Sequence, residues 1–135
     1  MSWYAIAYLA VFVAGIFFSA YDDIRERVAH WYIVVDGAVG LLWIYFFVTY
    51  YYPALALSGT LLAVLLGLAI VWTVLDVRRE LQGVWRDRPQ SYDPELSPSL
   101  NLSIDRGVEA LGVAIAVMLG APALVAAIAV VRRAL

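Results

Sequence analysis

From Gly37 to Leu75 the chain reads GAVGLLWIYFFVTYYYPALALSGTLLAVLLGLAIVWTVL, 39 residues without a charge. A helix rises roughly 1.5 Å per residue and the hydrocarbon core of a bilayer is about 30 Å thick, so one membrane span needs about 20 such residues. The run is therefore long enough for two spans, and its middle shows where they join. Tyr50, Tyr51, Tyr52 and Pro53 set interface-seeking aromatics beside a residue that opens helices but interrupts their interiors. The reading predicts a helix from about Trp31 to Tyr50 and another from about Ala54 to Leu75. Working outward, Trp3 to Tyr21 forms an uncharged first span. It lacks the basic start and small-residue cleavage site of a secretory signal, so it is expected to remain as a helix. Ala110 to Val131 supplies a fourth, predicted over 108–131. The expected fold is all-α, an integral membrane bundle of four transmembrane helices in a single membrane domain spanning 1–135.

Composition agrees. Hydrophobic residues make up 64% of the 135, the mean hydropathy is +0.84, and only 15% are charged, against about 25% in soluble domains. A soluble enzyme, a disordered chain and a secreted disulfide scaffold are excluded. Cysteine is absent, which removes thiolate metal sites and disulfides, and His30 is the sole histidine, so a multi-histidine zinc site is impossible. No cofactor and no metal is expected. The net charge of −2 gives no argument for nucleic acid. The expected partners are the lipid bilayer and, within it, a protein substrate, another membrane protein or a second copy of the chain.

The position of the arginines sets the expected orientation. Arg25 and Arg27 lie between the first two spans, and Arg78, Arg79, Arg86, Arg88 and Arg106 between the last two, whereas the N-terminus and the 50–58 connection have none. The N-terminus is therefore expected outside a cell membrane, with both arginine-bearing segments in the cytoplasm. Arg132 and Arg133 run against this count. Gly120, Ala121 and Pro122 could break the last helix into a re-entrant pair, but halves of about 12 residues reach only about 18 Å, so a full span, kinked at Pro122, is expected.

The polar stretch from Asp76 to Arg106 begins as an amphipathic pattern. Val77, Leu81, Val84 and Trp85 form one apolar stripe, with Arg78, Arg79, Glu80, Arg86 and Arg88 on the other faces. It is expected to continue from the third span as a cytoplasmic juxtamembrane helix lying along the headgroups. From Pro89 onward the prolines and serines predict an extended loop, with Ser103 or Asp105 capping helix four. On that helix Gly112, Ala116 and Gly120 form a stripe of small residues suited to close helix packing, within the bundle or between copies.

Acids at or within a membrane are costly and informative. Asp22 and Asp23 end the first span, Asp36 sits inside the second, Asp76 ends the third and Glu109 starts the fourth. Two carboxyls that meet can share a proton and activate water between them, and Asp23 and Asp76 are delivered to the same membrane surface. Asp36 could act in proton relay, reach the interface or pair with an arginine. His30, beside Trp31 and Tyr32, reads as an interfacial residue.

The stretch from Ser19 to Trp31, SAYDDIRERVAHW, resembles the first catalytic motif of the type IV prepilin and archaeal preflagellin peptidases, in which a membrane helix ends in Asp, an aliphatic residue, Arg, a variable residue and Arg. Asp23 matches the family aspartate, and Arg25 and Arg27 the basic positions. The family's second motif is Gly-x-Gly-Asp-x-Lys. At the comparable place, 53 residues beyond Asp23, the chain reads Thr73-Val74-Leu75-Asp76-Val77-Arg78. The resemblance implies an aspartic endopeptidase with Asp23 and Asp76 as catalytic residues. The chain departs from the family where Val74 and Leu75 leave no glycine to loosen the backbone, where Ala29-His30 replaces Pro-Asn, and in having fewer spans. Two functional expectations therefore stand side by side: a peptidase of prepilin peptidase type, and a non-enzymatic membrane subunit that packs through helix four and presents residues 77–106 to a partner.

Overall fold

A computed structural model describes residues 1–25, 29–84, 95 and 97–135. The described residues form four α-helices and no strand: α1 over Trp3–Arg25, α2 over His30–Tyr51, α3 over Gly59–Val84 and α4 over Pro98–Ala134. All four are long and apolar enough to cross a membrane, which makes the chain a multi-pass membrane protein with the expected all-α architecture. Large apolar side chains such as Phe17, Phe18, Leu41, Leu68 and Val125 are exposed. On helices of this kind, they are the surface offered to lipid.

Two boundaries differ from expectation. The third helix starts at Gly59 instead of Ala54, because Pro53–Leu55 forms a single 3-10 turn, with the Leu55 and Ala56 amides donating to the Tyr52 and Pro53 carbonyls. The fourth starts at Pro98, well before residue 108, and neither Ser103 nor Asp105 caps it. Ser97 does, its hydroxyl accepting from the Leu100 amide at 3.3 Å, while Pro98 takes the first helical position. Ser103 lies inside the helix and donates to the Ser99 carbonyl one turn back, at 2.9 Å. The serines and prolines that predicted a loop here are a helix start. α4 also runs unbroken through Pro122, so it is not a re-entrant pair. α3 continues past Asp76 as helix as far as Val84. The remainder of that expected helix, including Trp85, Arg86 and Arg88, lies outside the described residues, as does Arg27.

The helices divide into two compact units, one of residues 1–72 with 121–135 and one of residues 73–120. In the first unit α2 lies between two packed clusters. Phe46 turns one way, onto Leu62 and Leu66 of α3 and Ala127, Val130 and Val131 of α4. Its neighbour Phe47, about 100° further round the helix, joins Ala5 of α1 and Ala126 of α4. The start of α1, the end of α2, the start of α3 and the end of α4 thus meet at one end of this unit, and successive helices run antiparallel. α4 contributes small residues to both clusters. Ala123, Ala126 and Ala127 are all at most 5% exposed, and small side chains let helix backbones approach closely where lipid offers no hydrophobic drive.

The connection at this end is tied down by one side chain. The Tyr45 hydroxyl donates to the Leu55 carbonyl at 2.9 Å and accepts from the Leu57 amide at 3.3 Å, satisfying two backbone groups between helices. Beyond the connection, Gly59 meets the end of α4 so closely that a Cβ would come within 2.7 Å of the Ala134 carbonyl carbon. Backbone cannot swing aside as a side chain can. Gly59→Val should therefore lower unfolding stability in detergent by about 1–3 kcal/mol. Gly67→Ala, where a Cβ meets nothing within 4 Å, should be neutral or gain up to about 1 kcal/mol of helix propensity; thermal unfolding of the two variants side by side checks the contrast.

Candidate functional site

Asp23 stands in the last turn of α1, half-buried, two residues before the exposed Arg25 that closes the helix. Asp76 is half-buried on α3, with Arg78 and Arg79 exposed beyond it. Asp23 belongs to the first unit and Asp76 to the second. α3 stays helical through Thr73, Val74, Leu75 and Asp76 and for two further turns, as expected of a segment without glycine. Beside Asp76 a shallow groove of about 310 Å³ is lined by Thr73, Val74, Val77 and Arg78. Among the described residues no group of three or more His, Asp or Glu side chains converges as metal ligands would.

One polar contact inside the spans involves Asp36, the acid without a counterpart in the peptidase motifs. Asp36 lies six residues into α2, and its Oδ1 accepts a hydrogen bond from Trp72 Nε1 of α3 at 3.1 Å. Three aromatic rings gather there. Trp72 is 5.1 Å from Tyr32 and 6.3 Å from Trp31, which sits edge-on to it, and Trp31 and Tyr32 are 5.7 Å apart. The indole N–H can only donate and needs an acceptor when withdrawn from water. The carboxyl needs a donor for the same reason. Each therefore meets the other's need, and the pair fixes the register of α2 against α3.

The sequence marked Asp36 and offered an arginine as its partner, whereas the bond shown is to an indole. The available signal was the indole of Trp72, a donor set among aliphatic residues of α3 and 36 residues from the acid. His30 opens α2 as an exposed residue next to this aromatic group, in keeping with an interfacial position.

The other polar feature is the first part of α4. At 37 residues the helix is about 55 Å long, against a hydrocarbon core of about 30 Å. Its uncharged part begins only at Ala110, so Pro98–Glu109 extends beyond the apolar layer. On that segment Asn101 is 4% exposed, the one buried amide side chain among the described residues.

The Asp36–Trp72 bond can be tested by a double-mutant cycle. Trp72→Phe should cost about 0.6 kcal/mol, the average for interhelical hydrogen bonds in membranes, and at most about 1.7. Asp36→Asn, which keeps an acceptor, should cost less, and Trp72→Phe combined with Asp36→Leu should fall short of additivity by about the bond's worth. Additive losses would mean that the bond contributes nothing.

No family model, no curated protein and no solved structure matches this chain.

Proposed function

We propose that this chain is a non-enzymatic subunit of a membrane assembly, built to pack against a second copy through α4, with its N-terminus outside a cell membrane. The observation that carries this reading is the small-residue stripe on α4. Gly112 and Ala116 are exposed, and a Cβ placed on Gly112 or Gly120 would meet nothing within 4 Å. Packing within the first unit uses the alanines from Ala123 onward. A glycine in a helix costs about 0.8–1.0 kcal/mol relative to alanine, and a helix turned only toward lipid gains nothing in return. Close approach of another helix supplies that return. The polar Pro98–Glu109 segment extends the same helix toward a partner outside the apolar layer.

The absence of cysteine makes the test direct, because each introduced thiol reports alone. Gly112→Cys, Ala116→Cys and Gly120→Cys should each give disulfide-linked dimers in native membranes under mild oxidation, several-fold more than Val117→Cys or Met118→Cys on the intervening faces. Equal yields around the helix, or none, would overturn the reading.

A second reading follows the motif. α1 ends within two residues of Asp23 as the peptidase pattern requires, and Asp76 carries a basic residue two positions later. In this reading one carboxylate activates water and the other protonates the leaving amine. Co-expression with a prepilin-like substrate should then show cleavage that Asp23→Asn and Asp76→Asn each abolish, and cleavage unchanged in either variant ends it.

A further inference from the structure

At the end of the first unit where α2 stops and α4 finishes, Thr49, Pro53, Ala56, Val130, Arg133 and Ala134 line a half-open hollow of about 140 Å³. That is several times the roughly 30 Å³ that one water occupies in the liquid, so the hollow has room for a tetrahedral anion and its substituents. Thr49 is 1% exposed, and its hydroxyl has no hydrogen-bond partner. A helical threonine commonly satisfies itself by bonding back to the carbonyl one turn earlier. Here the hydroxyl is left over on the wall of the hollow.

The charge balance at this end is one-sided. The segments that build it, 1–21, 37–75 and 110–135, contain no acidic side chain, yet they carry Arg132 and Arg133. The Arg133 guanidinium lies 4.9 Å above the Tyr50 ring. Stacking of this kind holds the planar group in place while leaving its N–H fork unspent. A buried hydroxyl with no partner, a positioned guanidinium with no carboxylate side chain to pair with, and a cavity touching both describe one missing component: an anion with several acceptor oxygens.

We propose that this hollow binds a phosphate group carrying net negative charge, held by a charge-assisted hydrogen-bond fork from Arg133 and a hydrogen bond from Thr49. Phosphate oxygens suit the planar fork of arginine, and the ring of Tyr50, Tyr51 and Tyr52 marks the depth at which lipid headgroups lie. The same site accounts for two arginines at the end of the chain where arginine placement expects none. A negatively charged headgroup beside Arg133 stabilises it there independently of the rule that orients the other seven.

The full chain, purified in detergent and placed in nanodiscs, allows a direct test by native mass spectrometry of retained lipid. Phosphatidylglycerol should be retained in preference to phosphatidylcholine. Arg133→Gln should weaken that retention about tenfold and Thr49→Val about threefold, whereas Thr49→Ser, which keeps the hydroxyl, should retain it. Circular dichroism of each variant establishes that the helices persist, and Arg132→Gln serves as the charge-matched comparison, with a smaller loss than Arg133→Gln. Inorganic phosphate added at millimolar concentration separates the two sources of the ligand. Failure to compete supports a lipid headgroup, and displacement of the lipid supports a free phosphate at the same site. Equal retention of the two lipids by the unaltered chain, or losses for Arg132→Gln and Arg133→Gln that are the same, would overturn the site.

Discussion

Inside a bilayer an apolar side chain gains almost nothing by leaving lipid for protein, so helices stay together only where their surfaces fit closely or share hydrogen bonds. In the first unit the fit is made by the end of α4. Ala123, Ala126, Ala127, Val130 and Val131 bring its backbone close to α2 and α3, and Gly59 permits the last carbonyls to rest against the start of α3. Phe46 and Phe47 are both buried, about 100° apart around α2, each against a cluster to which α4 contributes a small residue, Ala127 for the first and Ala126 for the second. Larger residues on that face of α4 would uncover both phenylalanines at once. At the other end of α2, the hydrogen bond from Trp72 to Asp36 does by direction what the alanines do by shape.

The fold was legible because charge is so sparse. Uncharged runs of the right length located four helices, and Tyr50 to Pro53 located the turn between two of them. The boundaries were less legible, and for a specific reason. A serine followed by proline serves equally well in a loop and at the first turn of a helix, and only the Ser97 hydroxyl bonded to the Leu100 amide distinguishes them. Which of two small-residue faces of α4 packs inside the first unit was not legible either. Gly112, Ala116 and Gly120 form the more conspicuous stripe, but it is the alanines one turn further on that pack in the first unit. Periodicity identifies a face without saying what lies against it.

Polar contacts were the least visible in the sequence. Asp36 stood out because acids are rare inside spans, but nothing in the sequence tied Trp72 to it. Their pairing depends on how α2 and α3 are rotated, which a pattern in one helix cannot encode. The same holds for Thr49 and Arg133, 84 positions apart in the sequence and brought to one hollow by the return of α4. By contrast, Asp23 and Asp76 were easy to notice because a motif named them in advance. A motif draws attention to spacing along the chain, whereas these polar pairings arise from adjacency across it.

The alanine face of α4 also bears on how the chain matures. α1, α2 and α3 leave the ribosome before it, and the Tyr45 hydroxyl can close the turn between α2 and α3 as soon as both are inserted. Neither phenylalanine cluster is complete at that stage, since each waits for residues from Ala126 to Val131. The core of the first unit is thus closed by the part of it that is made last, which places its decisive packing step after insertion of the other three helices. Until then Phe46 and Phe47 are covered on one side only, by α3 and α1 respectively, and the earlier helices form a half-built socket whose fit is settled when α4 arrives.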